Sequence, residues 1–370
     1  MKATALAEAA TLGSLLVEPR TQPSVCRWLR VGDFVDPWHA QVYALLRERS
    51  VAGSATDPEQ LGLELRARVG DHRSDLVRVA SLLRITPVRP CTEAYARMVL
   101  ESSLRREVTQ LGVLLRASAL SAALTLERRP LVAGTALVNE AIATGRTRWQ
   151  LACNEPITTG SPNPALAPAV RNLDTSLAAD RMLAAHPELD RHQMRENEAR
   201  LIASLAAHPG EIEEVSHWLS PDALVDKHWG AVYVALLELT EHRRPVDVVT
   251  IAWQVQHNSR HRGPGPEPAV LMTAVDEAAV DDPCFYSRPV AADLVRRTAD
   301  SAARSLCAAA DNPGLDVPAL LDTAAVLSAG VRVAGLGLPE RALTSVSGRH
   351  LTAVRNEPAP AADLDRPAAG

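Results

Sequence analysis

The chain has 370 residues, long enough for two or three domains, and its net charge of −5 excludes a globally basic nucleic-acid binder while leaving room for a local basic strip. Hydrophobic residues make up 46% and aromatics only 3%; Ala and Leu dominate and β-branched runs are scarce, so the composition predicts an all-α fold. Five scattered cysteines, an odd number with no CxxC spacing, argue against a disulfide framework or structural zinc and point to a reducing, cytoplasmic compartment.

The N-terminal "MKATALAEAATLGSLL" has the Lys and the small residues of an export signal, but Glu8 interrupts its apolar region and the segment has a counterpart later in the chain. It reads as a helix with Leu12, Leu15 and Leu16 on one face. No apolar run approaches the roughly 18 to 20 residues of a membrane span. Trp28 and Leu29 end a second helix, "RVGD" is a turn, and Val42, Tyr43, Leu45 and Leu46 mark a third helix. Asp57 before Pro58 is an N-cap, since its carboxylate can accept orphan backbone N–H groups. Pro90-Cys91-Thr92 opens a long helix to about Leu126, Pro130 marks a break, and a shorter helix ends at Gly145.

The stretch 154–172, "NEPITTGSPNPALAPAVRN", has the composition of a linker, and 173–195 reads as helical. The chain then repeats itself. At an offset of 190, residues 8–48 match 198–238 at 14 of 41 positions, including Glu8/Glu198, Trp28/Trp218, Asp36/Asp226 and Tyr43/Tyr233. A chance match in an Ala- and Leu-rich chain would not preserve rare Trp and Tyr, so the two stretches are copies of one folding unit. The second copy continues in parallel: Asp247 is an N-cap, "SRHRGPGPEP" at 259–268 is a loop, Pro283-Cys284 precedes a long helix from about Arg288 to Ala310, Pro313 marks a break, and a helix over 318–329 ends at Gly330. The expected domains are 5–148 for the first copy, 149–194 for a Pro-rich linker, 195–332 for the second copy, and 333–370 for a disordered tail. Each copy is a helical bundle followed by a helical hairpin.

Chemistry-bearing residues each have a bland reading. His217, His228, His242, His257 and His261 gather in the second copy; His257 and His261 stand at i and i+4, but there is no HExxH, and a solvated loop is expected rather than a metal site. Ser14 and Ser204 read as small packing residues, not nucleophiles. Cys91 and Cys284 read as small buried residues at a turn, with a reactive thiol as the alternative. Trp28, Trp218, Tyr43 and Tyr233 read as core, and His39 and Trp229, at matching positions, as partly buried packing residues. The arginine pairs 105–106, 128–129, 243–244 and 296–297 sit among carboxylates and read as solvated helix faces. The candidate phosphate contacts are Arg260 and Arg262, on either side of His261.

The order "EAATLGSLLVEP", "FVDPWHAQVYALL", "DPEQLGLEL" and "TPVRPCTEAYARMVLESSLRREV" resembles the N-terminal domain of DnaB-type replicative helicases, and "NEARLIASLAAHPG", "LVDKHWGAVYVALLEL", "RPVDVVTIAWQV" and "DPCFYSRPVAADLVRRTADSAARSL" repeat the series, with Val290 where the family has the Tyr that the first copy keeps as Tyr95. The resemblance covers about 8–145 and 198–330. It implies a six-helix bundle followed by a hairpin, hairpins that pair between subunits, and a collar that recruits primase.

The motor of that family needs a GxxxxGK[ST] loop whose backbone cradles phosphates and whose Lys reaches them. The chain has two lysines: Lys2 follows only Met1, and Lys227 stands in "LVDKHWG" with no preceding Gly. About 40 residues follow the second copy, too few for a RecA-like ATPase domain. The expectation is a non-catalytic interaction protein of DNA replication, without cofactor or metal, that binds primase or a replicative helicase and self-associates through its hairpins. The alternatives are one part of a split helicase whose ATPase is a separate chain, and a DNA-binding regulator that uses the arginine strips.

Overall fold

A computed structural model describes residues 3–53, 57–69, 75–158, 175–186, 189–280 and 282–340. The described residues are helical throughout and contain no strand. In the first copy α1 (Ala3–Val17), α2 (Gln22–Cys26), α3 (Pro37–Ala52), α4 (Pro58–Val69) and α5 (Asp75–Ile85) form a head, followed by α6 (Thr92–Thr125) and α7 (Arg129–Ala152). A linker helix α8 (Thr175–Ala185) comes next. The second copy repeats the order as α9 (Arg191–Ala207), α10 (Ile212–Ser216), α11 (Lys227–Glu241), α12 (Val248–Arg262) and α13 (Pro268–Ala278), then α14 (Pro283–Asp311) and α15 (Val317–Ala334). Even the 3₁₀ turns recur, at Pro19–Thr21 and Val31–Asp33 and again at Pro209–Glu211 and Pro221–Ala223.

Local chemistry explains the boundaries. Asp36, Asp226, Asp247, Asp282 and Asp316 each cap a helix by accepting from backbone N–H groups of its first turn. Pro37, Pro58, Pro130, Pro268 and Pro283 stand in the first turn, where their missing N–H costs nothing. Gly53 ends α3 in the left-handed conformation, at φ +64°.

Several boundaries differ from the sequence reading. The helices run through Gly145 and Gly330 to Ala152 and Ala334, because both glycines stand in regular helix. The helix α14 starts at Pro283, five residues before Arg288, and accommodates Pro289 in its interior. The supposed loop 259–268 is helical up to Arg262. The packed second copy extends past 332, through α15 and a 3₁₀ turn at Gly335–Gly337, to Glu340. Of the Pro-rich linker expected over 149–194, residues 149–152 continue α7 and 175–185 form α8, while 159–174 and 187–188 lie outside the described residues, as does the proposed tail beyond 340. The helices α6 and α15 with its following turn do reach the length and apolarity of a membrane span. Their sequences are not continuous apolar runs, and α6 is the core helix of the molecule, packed on α1, α7, α8, α14 and α15.

The heads sit on a four-helix bundle made by the two hairpins. The helix α6 packs along α14, and α7 along α15. Both pairs run antiparallel, as three contacts along α7 show: Arg146 pairs with Asp322, Ser328 Oγ donates to Asn139 Oδ1 at 3.0 Å, and Arg128 pairs with Glu340 at 2.9 Å. Along α6, Gly112 faces Ala303 and Arg116 Nε donates to Asp300 at 2.6 Å. Gly112 and Ala303 are equivalent residues of the two copies: the offset of 191 that pairs Arg105-Arg106 with Arg296-Arg297 relates them, and it pairs Tyr95 with Tyr286 rather than with Val290. A residue that touches its own equivalent lies on the two-fold axis relating the copies. A Cβ at Gly112 would stand 3.2 Å from Ala303 Cα, so the glycine sets how closely the helices approach.

Arg105 secures the same pairing from one end. Its guanidinium donates to the carbonyls of Ala310 (3.1 Å), Asn312 (2.9 Å) and Leu315 (2.6 Å), while Glu101 holds it in place. The last carbonyls of a helix have no intrahelical partner, and a cation there also meets the negative end of the helix dipole. Arg105 thus caps α14 from the other copy.

Gly112→Leu forces a branched side chain into the axis contact, and such overpacking costs about 1–3 kcal/mol. Urea denaturation followed by circular dichroism is expected to show that loss. An unchanged midpoint would refute the tight approach of α6 and α14.

Candidate interaction site: the paired hairpins and their junctions with the heads

The polar residues that matter are buried at junctions. Glu8 is fully buried in α1 and accepts from Val35 N–H (2.6 Å) and Asp36 N–H (3.4 Å), with His39 Nδ1 at 2.8 Å. Burial pushes its pKa up, but the bonds from His39, Val35 and Asp36 prevail and hold the carboxyl below its ordinary range. Glu198 repeats the arrangement in α9, accepting from Val225 N–H and Asp226 N–H at 2.9 Å. Position 229 is Trp where the first copy has His39, and in the second copy a side chain from the hairpin approaches instead: Arg297 lies 3.6 Å from Glu198. The two carboxylates do the same work. Each pins the two backbone N–H groups that precede the long third helix of its head, groups that burial would otherwise leave unpaired. His39 is therefore a hydrogen-bonding partner of Glu8 and not only a packing residue.

The phenol of Tyr43 donates to Leu29 carbonyl (3.2 Å) and that of Tyr233 to Leu219 carbonyl (3.1 Å). Burial raises both phenol pKa values, so both stay neutral donors. Trp28 is buried and Trp218 half-buried. Ser14 is fully buried, as Ser204 is, and donates to Ala10 carbonyl.

The arginine pairs are not merely solvated faces. Arg106 donates to Asp33 carbonyl (2.5 Å) and its equivalent Arg297 to Ala223 carbonyl (2.8 Å), so each long helix grips the same turn of its own head. Position 33 then separates the copies. Asp33 is buried and accepts from Arg148 (2.5 Å), Ser103 Oγ (2.7 Å) and Arg30 N–H (2.6 Å). Arg148 also donates to Trp28 carbonyl (2.9 Å) and Glu107 (3.0 Å). Burial opposes the charge on Arg148, but Asp33 and Glu107 hold its pKa above the ordinary value. Ala223 replaces Asp33 in the second copy. There the head meets the end of the hairpin through Trp218, whose ring leaves no room for a Cβ at Gly337 (2.5 Å).

Between α6, α14 and the linker-side helices α8 and α9 lies an open cleft of about 790 Å³. Arg116, Arg191, Arg296, Arg297 and Arg304 line it, with Asp300 and an apolar floor. Arg297 Nε is buried there without a hydrogen-bond partner. The cleft can take up carboxylate or phosphate groups by charge-assisted bonds.

Other residues singled out in the sequence stand apart. Arg260 is exposed on α12 with His257 and His261, which lie on a helix and not in a loop. Arg262 ends that helix, and its side chain lies outside the described residues. The same helix exposes Trp253 at 72%, an aromatic that the sequence reading passed over. Cys91 and Cys284 are exposed at helix starts, not buried, because each stands where the chain enters its helix at the surface. Burial, then the neighbouring Asp282, raise the pKa of the Cys284 thiol, which disfavours the thiolate. Among the described residues no group of three or more His, Cys, Asp or Glu side chains is placed to hold a metal ion.

Arg148→Met removes the cation and leaves Asp33 buried without it. Breaking a buried pair on one side costs about 3–5 kcal/mol, and replacing both partners by apolar residues is often close to neutral. In chemical denaturation Arg148→Met is expected to lose that much, and the double variant Asp33→Leu, Arg148→Met to recover a large part. A single variant as stable as the parent would remove Arg148 from its role as the bolt between head and hairpin.

Comparison with protein families matches residues 2–101 and 190–278 to the DnaB-like helicase N terminal domain, in two separate segments. No curated protein and no solved structure matches the chain. The matched segments cover both heads and stop at Glu101 and Ala278, so most of both hairpins lies beyond them. Together they span just over half of the sequence, and the chain belongs to the DnaB-like helicase N terminal domain family, whose domain it carries twice.

Proposed function

We propose that this chain is a non-catalytic interaction protein of DNA replication that acts in the cytoplasm and engages primase or a replicative helicase. The observation that carries the reading is the hairpin pairing inside one chain. The family resemblance implies hairpins that pair between subunits, and here α6–α7 of one copy take α14–α15 of the other as their partner. The polypeptide is thus a preassembled pair of collar domains. The two heads project from the bundle on fixed junctions and present the surfaces that a partner of the collar would meet. The buried charged residues Glu8, Asp33, Arg148 and Glu198 all have structural partners.

Affinity capture with the purified chain against the host's primase and replicative helicase tests this. One of the two is expected in the bound fraction, and the isolated chain is expected to turn over no nucleotide. Recovery of neither protein, or turnover by the chain alone, would refute the reading.

A second reading, a DNA contact on the second head, is favoured by one observation. Trp253 is 72% exposed on the helix that also exposes His257 and Arg260, at i, i+4 and i+7, hence on one face. An aromatic on one face with a cation, Arg260, suits a stacked base and its phosphate. Single-stranded DNA is then expected to quench tryptophan fluorescence at low salt, with the quenching lost in Trp253→Ala and weakened by salt. Equal quenching in parent and variant would exclude this face.

A further inference from the structure

We propose that the outer face of the α7–α15 layer docks a second copy of this chain. The inner side of these helices is buried against α6 and α14, and no other described element packs closely on their outer side apart from the 3₁₀ turn that ends α15. That side is apolar. On α15 it exposes Val326 (71%) and Val333 (53%), with Ala329 and Gly330 between them, at i, i+3, i+4 and i+7. These positions form one stripe of a helix. Beside it α7 exposes Val132, Ala133 and Ala136. The Arg128–Glu340 pair and the contact of Gly335 with Leu131 place this part of α7 next to the end of α15. A contiguous exposed apolar surface of this kind marks an interaction site.

Charge selects the occupant. On α15 the charged groups stand at the margins of the stripe, Asp322 before it and Arg332 near its end, and on α7 Arg129 is exposed one turn before Val132. Asp322 keeps 69% of its side chain exposed although Arg146 already contacts it, and Arg332 is exposed with no carboxylate partner among the described residues. Laid antiparallel on a second copy of itself and centred between Val326 and Ala329, α15 brings Arg332 to Asp322 of the second copy, and the reciprocal pair forms at the other end. Such a contact is isologous: one face, used twice, closes a dimer. Ala329 and Gly330 let the two backbones approach. The face also straddles the internal axis, since α7 and α15 are equivalent helices, so it adds a symmetric contact to an already symmetric bundle. This proposal does not depend on the replication reading.

Sedimentation velocity of the full chain over a range of micromolar concentrations tests it, with circular dichroism as the folding control. The parent is expected to shift from a 39.7 kDa monomer to a dimer. Val326→Glu, at an exposed position, is expected to stay monomeric with unchanged helicity. Arg332→Asp is expected to weaken the dimer at least about tenfold, and Arg332→Asp with Asp322→Arg to restore it. A parent that is monomeric throughout would overturn the proposal, as would a dimer that survives Val326→Glu. Binding of a monomeric parent to phospholipid vesicles, lost in Val326→Glu, would assign the face to a membrane surface and equally overturn it.

Discussion

The close approach of α6 and α14 at Gly112 and Ala303 is the constraint on which the rest of the molecule depends. These two residues are equivalents in the duplicated sequence, and their contact turns a repeat in the chain into a symmetry in space. The four-helix bundle, the cap that Arg105 places on α14, and the antiparallel seam of α7 and α15 all follow from that axis. Two separate domains on a linker would have put the copies near each other without relating them. Packed hairpins fix both the distance and the orientation of the heads.

The sequence made the larger part of this fold legible. The repeat of Trp28/Trp218 and Tyr43/Tyr233 located the copies, and the structure buries both tyrosines and returns the same element order twice. Asp and Pro at helix starts were readable because their effect is local: a cap or a missing N–H acts within one turn. Glycine misled, because Gly145 and Gly330 are interchangeable with a helix end in a one-dimensional reading, and only the packing of the helix around them shows that they are interior. The candidate site was much less legible. Arg105 sits among carboxylates and looks like a solvated residue, and Arg148 stands in no recognisable pattern, whereas their decisive partners are a backbone end 205 to 210 residues away and an Asp 115 residues away. Such pairings are set by the tertiary fold and leave no spacing to recognise. One signal was present: Asp33 aligns with Ala223 within an otherwise matched stretch, and a buried charge in one copy needs a partner that the other copy lacks.

The differences between the copies carry a consequence for how such a pair diverges. In a homodimer every substitution occurs on both sides of the axis, so a change that helps one side is paired with itself. Joining the copies in one chain removes that coupling. The first copy holds its head through the Asp33–Arg148 ion pair and the second through Trp218 against Gly337. The first sets His39 from within the head against its buried carboxylate, and the second sets Arg297 from the hairpin there. Each pair of solutions meets one physical requirement by different chemistry.

Linking the copies also changes the energetics of pairing. A tethered partner is present at an effective concentration of about millimolar for a short flexible connection, whatever the protein concentration. The hairpin interface therefore no longer has to be strong enough to assemble from dilute subunits. It can accept a glycine at its centre and polar groups such as Asn139 and Ser328 along its seam, and still remain closed. The linker contributes its own contact, since α8 packs on α6 beside the axis, and among the described residues no equivalent helix packs on α14. The tether thereby makes the two sides of the bundle unequal: among the described residues one lies under a segment of the chain, and the opposite one, formed by α7 and α15, is left open.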